Sequence, residues 1–206
     1  MALEAPSTDP AVLIAQETSN EYTFRTFTTE TAWTLGTALR ARILSLPPDR
    51  RKPALISISL AGGGGGGGAG VPPHVLFQCA TEPGTVPDNE EWVRRKRNTV
   101  LRWGLSSWAM RMKTAAGLRG VRVTSGPSPT PTAGEIEAAF VSKYALASSS
   151  GGAVADDYAI HGGGFPVRVR GAGGAVVAVV VVSGLKQEDD HAVVAETVRE
   201  VIAAQG

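Results

Sequence analysis

Several short segments of the chain show the hydrophobic and polar spacing of β-strands. In ALISISL (54–60) the apolar residues alternate with two serines, which predicts a strand with one buried face and one face in water. HVLFQCA (74–80) alternates in the same way and predicts its partner, and EYTFRTFT (21–28) predicts a short strand. FPVRVR (165–170) predicts a strand whose arginines face solvent, starting at proline. AVVAVVVV (175–182) has no alternation, so it predicts a central strand covered on both faces.

Helical spacing of apolar residues marks most of the other elements. PAVLIAQE (10–17) predicts either a short helix or a fraying terminal segment. Apolar residues from Ala32 to Leu46 recur at helical spacing until Pro47 and Pro48, which cannot donate backbone hydrogen bonds to a helix. EIEAAFVSKYAL (135–146) predicts another short helix, and apolar residues between 193 and 202 predict a terminal amphipathic helix.

The segment 88–113 carries the most informative pattern. It opens with Asp88 and has Glu91 three residues later, which is the arrangement of a capping box. Taken as one helix, it has two apolar sectors and only a narrow polar face. This coverage is wider than a single contact with a sheet requires. The pattern therefore predicts a helix buried on two sides, by the sheet and by a second subunit.

Two polar residues, Lys96 and Ser107, interrupt the apolar stripe that runs from Trp92 to Met110 of this helix. A buried lysine needs a partner, because burying an unpaired charge is strongly unfavourable. The partner is either a carboxylate from a neighbouring subunit or an anionic ligand. We favour a structural ion pair, since buried charges also occur in proteins for purely structural reasons.

Three stretches rich in glycine, proline or serine separate these elements, at 61–73, 124–134 and 147–156. The first contains seven consecutive glycines, but no Lys-Ser or Lys-Thr pair and no helix follows, so the pattern of a phosphate-binding loop fails. It predicts the flexible tip of a β-hairpin. The other two predict loop insertions on a single domain that spans residues 1–206.

Charge and composition change this picture by excluding some classes of protein. The 206 residues carry a formal net charge of +1, which gives no electrostatic reason to expect nucleic acid or an anionic membrane as a partner. The single cysteine, Cys79, forms no intramolecular disulfide or Cys-rich zinc site and fits a reducing compartment. The N-terminus lacks the apolar core of a secretory signal, and the run at 175–182 is too short to span a bilayer as a helix. These features predict a cytoplasmic protein.

Few residues offer chemistry. The chain has three histidines, His74, His161 and His191. None belongs to a metal-binding motif, and Cys79 lies in a predicted strand, which indicates a buried, inert thiol rather than a nucleophile. RRKR (94–97) is spread around a helix and predicts surface and salt-bridge roles. The acidic cluster ending in DDH (189–191) predicts a solvated helix start, where the helix dipole favours negative charge. No catalytic residue and no metal ligand is assigned.

Three distant blocks of the chain occur in an order that resembles a known family. They are LFQCATEPGTVPDNEEWVRRKRNTVLRWGLSSWAM (76–110), YAIHGGGFPVRV (158–169) and VVVVSGLKQEDDH (179–191). They resemble the GlcG/HbpS-like heme-degrading-domain family, and most closely its single-domain branch. The resemblance implies an α/β protein, an αβα sandwich with a five-stranded, mostly antiparallel, profilin-like sheet and helices on both faces. It also implies homo-oligomers.

The resemblance further implies a ligand, because some members of the family bind heme or take part in its degradation. Heme or a similar small anionic molecule is therefore the expected ligand. The positions on the motif blocks where a pocket or subunit contact is expected are Trp92, Lys96, Asn98, Ser106, Ser107, His161, Gly163, Gly164, Phe165 and Pro166. Ligand contacts are expected from seven of these, Trp92, Lys96, Ser107, His161, Gly163, Gly164 and Phe165. Tryptophan offers stacking surface, and Lys96 or Arg168 would meet carboxylates.

Three functions follow from these observations. The first is a homo-oligomeric binding protein for heme or a similar planar anion. The second is a non-catalytic adaptor that self-associates through the helix at 88–113 and binds another protein. The third, a hydrolase or oxidoreductase, ranks last because the sequence shows neither a nucleophile–base pair nor a cofactor fingerprint.

Overall fold

The computed structural model describes residues 3–62, 73–122, 130–147 and 154–205. Its α-helices are α1 (Pro10–Glu17), α2 (Thr29–Leu44), α3 (Pro87–Trp103), α4 (Ser107–Arg122), α5 (Ala133–Lys143) and α6 (Gln187–Ala203). Its strands are β1 (Thr23–Phe24), β2 (Leu55–Leu60), β3 (Val75–Ala80), β4 (Gly164–Val169) and β5 (Val176–Ser183). Short 3-10 turns lie at Asn20–Tyr22 and Ala155–Asp157.

The strands form one five-stranded sheet in the order β1-β4-β5-β2-β3. β1 pairs with β4 in parallel, and the other three pairings are antiparallel. Ile58 of β2 lies opposite Val180 on one side and Phe77 on the other, which fixes the register of the hairpin against the sheet. The valine run therefore occupies the central strand, as the absence of alternation predicted.

Helices cover both faces of the sheet. On one face, α2 and α6 enclose the largest hydrophobic cluster, which includes Ile56, Ile58 and Val180. On the other face, α3 packs Val93 and Val100 against alternate valines of β5. This arrangement confirms the predicted αβα sandwich and its mostly antiparallel sheet.

Two strands are more deeply buried than their alternation predicted. Ser57 and Ser59 of β2 are buried, because α3 covers the face that was expected to meet water. In β4, Arg168 is also buried instead of solvated. Its guanidinium donates to the carbonyl oxygens of Gly104 and Gly174, so the charge lies against backbone oxygens. The arginine at position 168 thus marked a polar contact with the backbone rather than a face in water.

The long helix predicted over 88–113 is wrong, because the chain breaks it into α3 and α4. Gly104 adopts a left-handed conformation with φ of +66° and ends α3. The hydroxyl of Ser106 then accepts from the backbone N–H of Ala109 at 3.0 Å and caps α4. A glycine that is followed two residues later by a serine is an ordinary signal for the end of one helix and the start of the next.

The apolar stripe of α3 that contains Trp103 is covered by the same chain at its C-terminal end. The ring of Trp103 lies 5.1 Å from Phe140, 4.9 Å from Tyr144 and 5.1 Å from Tyr158, measured between ring centroids. This stripe is therefore buried without a second subunit, whereas Leu101, in the second apolar sector, is 40% exposed. Self-association through this segment stays a prediction.

The glycine-, proline- and serine-rich stretches fall largely outside the described residues. This applies to 63–72 of the polyglycine segment, 123–129 of the second stretch and 148–153 of the third. The predicted flexibility of the hairpin tip is therefore not addressed by the structure. The insertion predicted at 124–134 is shorter at its end than expected, because α5 already begins at Ala133.

A candidate ligand site beside Lys96

A glycine turn at 162–164 brings α3 and the start of α6 close together. Gly163 has a φ of +114°, and a Cβ atom on it would lie 2.3 Å from the carbonyl oxygen of Val182 and 3.0 Å from Lys96 Nζ. Only glycine fits such a position, both for its backbone angle and for its space. The hydroxyl of Ser107 accepts from the backbone N–H of Gly164 at 3.0 Å and holds the end of the turn.

Lys96 is buried behind this turn and forms an ion pair within the chain. Its Nζ donates to Asp190 Oδ2 at 2.9 Å and to the carbonyl oxygen of Val182 at 3.0 Å. Asp190 Oδ1 accepts from the backbone N–H of Leu185 at 3.0 Å. Burial raises the pKa of the Asp190 carboxyl, and the charge of Lys96 acts in the opposite direction. The preferred structural ion pair is confirmed, but its predicted source was wrong: the carboxylate comes from α6 of the same chain and not from a neighbouring subunit.

The prediction that residues 189–191 form a solvated helix start is wrong. All three are buried, because separate elements enclose the first turns of α6. Arg50 forms an ion pair with Asp189, Lys96 of α3 pairs with Asp190, and Trp108 of α4 lies 6.2 Å from the ring of His191. Burial lowers the pKa of His191 to about 3, so this histidine is neutral.

His161 lies at the rim of the same region, next to Trp92. The two rings meet edge to face with centroids 4.7 Å apart. His161 Nε2 is 3.4 Å from Glu137 Oε1, and that oxygen is also 3.4 Å from a guanidinium nitrogen of Arg111. Burial lowers the pKa of His161, as do the nearby charges of Arg111, Lys96 and Arg95, while Glu137 acts in the opposite direction.

A cavity of about 220 Å³ opens between these groups. Its walls are Asn89, Trp92, Lys96, His161, Ser183, Gly184, Leu185, Gln187 and Asp190. Two buried polar atoms of the walls, His161 Nδ1 and Gln187 Oε1, have no hydrogen-bond partner among the described residues. Buried polar groups in proteins are nearly always paired, so such atoms need an explanation.

The residues expected to contact a ligand divide into three groups. Trp92, Lys96 and His161 lie in the cavity wall. Gly163 and Gly164 form the glycine turn behind the cavity wall, and the hydroxyl of Ser107 binds the backbone of that turn. Phe165 is buried in the main core and is not part of the cavity wall; its ring centroid lies 5.9 Å from that of Tyr22 and 6.0 Å from that of His191. Its role as a ligand contact therefore has no support from its position.

The other motif positions have structural surroundings. The side-chain amide of Asn98 donates to the carbonyl oxygen of Asp157 at 3.0 Å, Ser106 caps α4, and Pro166 lies within β4. Asn89, Gln187 and Asp190 line the cavity but were not selected from the sequence. The one signal that pointed to Asp190 was the need of a buried Lys96 for a carboxylate.

Other candidate chemistry is accounted for by local contacts. Cys79 is half-buried instead of buried as predicted, but burial still raises the pKa of its thiol, which favours the protonated and less reactive form. Within RRKR, Arg94 pairs with Glu91 and Asp157 near the surface, whereas Lys96 and Arg97 are buried, contrary to the surface roles predicted for them. Among the residues that the structure describes, no three His, Cys, Asp or Glu side chains cluster around a potential metal position. In the same ranges, every helix is too short or too polar to cross a membrane.

Comparison with known proteins identifies the family. The model of a family described as "Haem degrading protein HbpS-like" matches residues 27–199, most of the chain. The chain belongs to the HbpS-like family. The resemblance inferred from the three motif blocks is thereby confirmed.

Similar proteins extend over nearly the whole HbpS-like chain. A UPF0303 protein of Streptomyces coelicolor is 34% identical over 195 residues, which cover 95% of this chain and 96% of the relative. A UPF0303 protein of Edwardsiella ictaluri is 35% identical, with coverage of 91% and 90%. Among solved structures, the Ybr137w protein matches with a TM-score of 0.71 at 24% identity and covers 99% of both chains, which shows a shared fold. HbpS itself matches with a TM-score of 0.49 at 16% identity and coverage of 85% and 89%.

Heme, which the family description suggests, does not fit inside the cavity beside Lys96. The cavity holds about 220 Å³, whereas sites for drug-sized ligands and cofactors occupy about 300–1,000 Å³ and have mostly apolar walls. Six of the nine wall residues are polar or charged. The histidine in the cavity wall, His161, has its Nε2 3.4 Å from Glu137 Oε1. The site suits a smaller and more polar molecule.

Proposed function

We propose that this HbpS-like chain binds a small anionic molecule in the cavity beside Lys96. The observation that carries the proposal is a cavity bounded by a buried lysine and by buried polar atoms without partners. An ammonium group has three N–H donors, and two of those on Lys96 are used by Asp190 and Val182. The third is available to an acceptor that enters the cavity.

The charges around His161 favour an anion. Arg111, Lys96 and Arg95 all act to lower its pKa, and only one carboxylate, Glu137, acts against them. Asp190 pairs with Lys96, and Asp156 lies 3.9 Å from Arg95, but the side chain of Asp156 is 94% exposed to solvent. Within the partly enclosed region, three positive charges therefore face two carboxylates, Asp190 and Glu137. In a partly enclosed space such an excess attracts negative groups more strongly than it does in open water.

The walls also set the shape of the ligand. Trp92 supplies an aromatic surface that His161 and the guanidinium of Arg95 already contact, the latter at 4.9 Å from the ring centroid. Gln187 offers an amide whose oxygen is unpaired. A planar carboxylate, with its charge near Lys96 and its ring on Trp92, meets both features.

A heme-related role is the second candidate, and the family match is the observation that favours it. Because the cavity is too small for the macrocycle, a heme would contact the chain mainly outside it. Binding heme in this way makes His161 the residue to test, since it stands at the rim of the cavity and its side chain is 32% exposed.

The experiment titrates purified protein with benzoate by calorimetry and, separately, with hemin by absorption spectroscopy. Two substitutions probe the cavity, His161→Ala and Trp92→Ala. Their matched controls are His74→Ala and Trp33→Ala, which change the same residue types at exposed positions outside the cavity. We expect saturable benzoate binding that the cavity variants weaken about tenfold or more, the loss that goes with a contact of roughly 1.4 kcal/mol, and that the controls leave unchanged.

The two ligands separate the candidates. A saturable shift of the heme Soret band that His161→Ala abolishes, together with no heat from benzoate, would favour the heme role over the small-anion site. Binding of either ligand that is weakened equally by the control variants would count against both. No saturable binding of benzoate or hemin at millimolar and micromolar levels, respectively, would remove the proposal.

A further inference from the structure

A second cavity of about 590 Å³ lies where β1 and β4 end beside the last turns of α6. Its volume is within the range of about 300–1,000 Å³ that small-molecule sites occupy. The walls combine three arginines, Arg25, Arg170 and Arg199, with the apolar side chains of Ile202 and Ala203. No residue of this cavity belongs to the site beside Lys96.

The parallel pairing of β1 with β4 explains why two of the arginines converge. Phe24 lies beside Val169 in this pairing, and the backbone N–H of Arg170 donates to the carbonyl oxygen of Phe24 at 2.9 Å. Parallel strands leave a sheet at the same end, so Arg25 and Arg170, the next residues of the two strands, emerge side by side. Arg199 reaches the same end from α6.

A side-chain clamp fixes the walls of this cavity relative to each other. Gln205, just after α6, accepts from the backbone N–H of Arg25 at 3.1 Å and donates to the carbonyl oxygen of Thr26 at 3.1 Å. The end of α6 is thereby tied to the segment that follows β1. Ile202 is buried beneath the same junction. The arginines therefore extend from a braced backbone rather than from a free loop.

The positive charges of this cavity are not balanced by the residues that the structure describes. None of its three guanidinium groups forms an ion pair or a side-chain hydrogen bond with any described residue. Of the two carboxylates in the wall, Glu200 is held by Arg42 at 2.7 Å, which leaves Glu21 to face three cations. Converging charges of one sign repel each other and raise the local concentration of counter-ions.

We propose that this second cavity binds an organic dianion with an apolar body, such as an aromatic dicarboxylate. Guanidinium groups match carboxylates in geometry and form paired hydrogen bonds with them. Two carboxylates would engage the arginines on both sides of the cavity, while Ile202 and Ala203 contact the apolar body. This site is independent of the function proposed for the cavity beside Lys96.

The test compares three probes by calorimetry at low and moderate salt. Naphthalene-2,6-dicarboxylate has two carboxylates and an apolar body. 2-Naphthoate has the apolar body with one carboxylate, and inorganic pyrophosphate has charge without an apolar body. Arg170→Gln and Arg199→Gln remove guanidinium groups from the cavity. Arg119→Gln, at an exposed position of α4, is the matched control, and His161→Ala separates the two cavities. All substituted side chains of the arginine set are exposed, so the fold should survive, and circular dichroism checks this.

We expect the dicarboxylate to bind with a stoichiometry of one and to outcompete both other probes by about tenfold or more, the effect of one charged hydrogen-bonded contact. Each cavity variant should weaken it by a similar factor, and Arg119→Gln and His161→Ala should not. Equal binding of 2-naphthoate, equal weakening by Arg119→Gln, or no saturable heat from the dicarboxylate would each overturn the proposal. Loss of binding in His161→Ala alone would assign the dianion to the first cavity and overturn it as well.

Discussion

Replacing Glu17 by glutamine should change how the stability of the fold depends on pH. Glu17, the last residue of α1, is buried against the start of α4. One carboxylate oxygen accepts from the backbone N–H of Ser106 at 2.9 Å, and the other has no partner among the described residues. Burial raises the pKa of this carboxyl from 4.5 to about 7, against the opposing effect of Ser106.

Because its pKa is raised in the folded chain, the contribution of Glu17 to the stability of the fold falls as pH rises. Between pH 4.5 and about 7 the folded chain keeps the proton and the unfolded chain releases it. The stability contributed is therefore complete below pH 4.5 and lost as pH rises through 7. The interval of about 2.5 pH units, at about 1.36 kcal/mol for each, corresponds to roughly 3 kcal/mol.

His191 makes the free energy of unfolding change with pH in the opposite direction, over a pH interval that overlaps that of Glu17. Burial lowers its pKa from 6.5 to about 3, so the unfolded chain binds a proton there that the folded chain does not. Its contribution is complete above pH 6.5 and is lost as pH falls toward 3, by roughly 5 kcal/mol in all. Between pH 4.5 and 6.5 the two contributions to the free energy of unfolding change with pH by equal amounts in opposite directions. In the wild-type chain these two groups together should therefore leave the stability nearly independent of pH in this range.

Urea denaturation at fixed protein concentration, followed by tryptophan fluorescence between pH 4.5 and 7.5, measures these slopes. Relative to wild type, Glu17→Gln should gain stability with rising pH by about 1.4 kcal/mol per unit from 4.5 to 6.5, because only the His191 slope remains. His191→Leu should lose stability with rising pH by a similar amount. Glu188→Gln, at an exposed position, should match wild type.

The comparison depends on slopes and not on absolute stability. A glutamine at position 17 places an amide where the unpaired oxygen lay, which costs about 1–3 kcal/mol at every pH but has no titration. If Glu17→Gln runs parallel to wild type across the range, the carboxyl of Glu17 does not titrate near pH 7 in the folded chain. The account of its burial between α1 and α4 would then be refuted.

Two further predictions concern the site beside Lys96, and urea denaturation measures both. Gly163→Ala should destabilise the fold by about 1–3 kcal/mol or more because of its left-handed backbone and its approach to Val182. Gly171→Ala, also at positive φ but with open space around it, should cost less. Lys96→Met should cost about 3–5 kcal/mol because it leaves the carboxylate of Asp190 buried without its partner. The double variant Lys96→Met with Asp190→Leu should recover most of that loss, and a double variant as unstable as the single one would show that the pair contributes through packing alone.

Much of the fold was predictable because it depends on local periodicity. The bounds of α1 matched the apolar segment at 10–17, and α2 ended before Pro47 as the two prolines required. The valine run identified the central strand β5 because only a strand with neighbours on both sides and helices on both faces tolerates apolar residues throughout. The prediction of one helix over 88–113 was wrong because the helical spacing of apolar residues continues across Gly104, although this residue has a left-handed conformation and separates two helices.

The burial of polar residues was less predictable, because it depends on which elements meet in three dimensions. Alternation in β2 indicated two different faces, but not that α3 would cover the serines.

The candidate site shows the limit most clearly, because its charges pair over long separations in the sequence. That a buried Lys96 needed an anionic partner followed from its place in an apolar stripe, and an ion pair was preferred to a ligand. Which of 19 acidic residues supplied it did not follow, since Asp189 and Asp190 are neighbours with identical side chains. The structure separates them by direction: adjacent helical residues point about 100° apart, so Asp189 turns to Arg50 and Asp190 to Lys96. A helix start inserted between separate elements can thus bury successive charged residues, provided that each meets a partner on its own side.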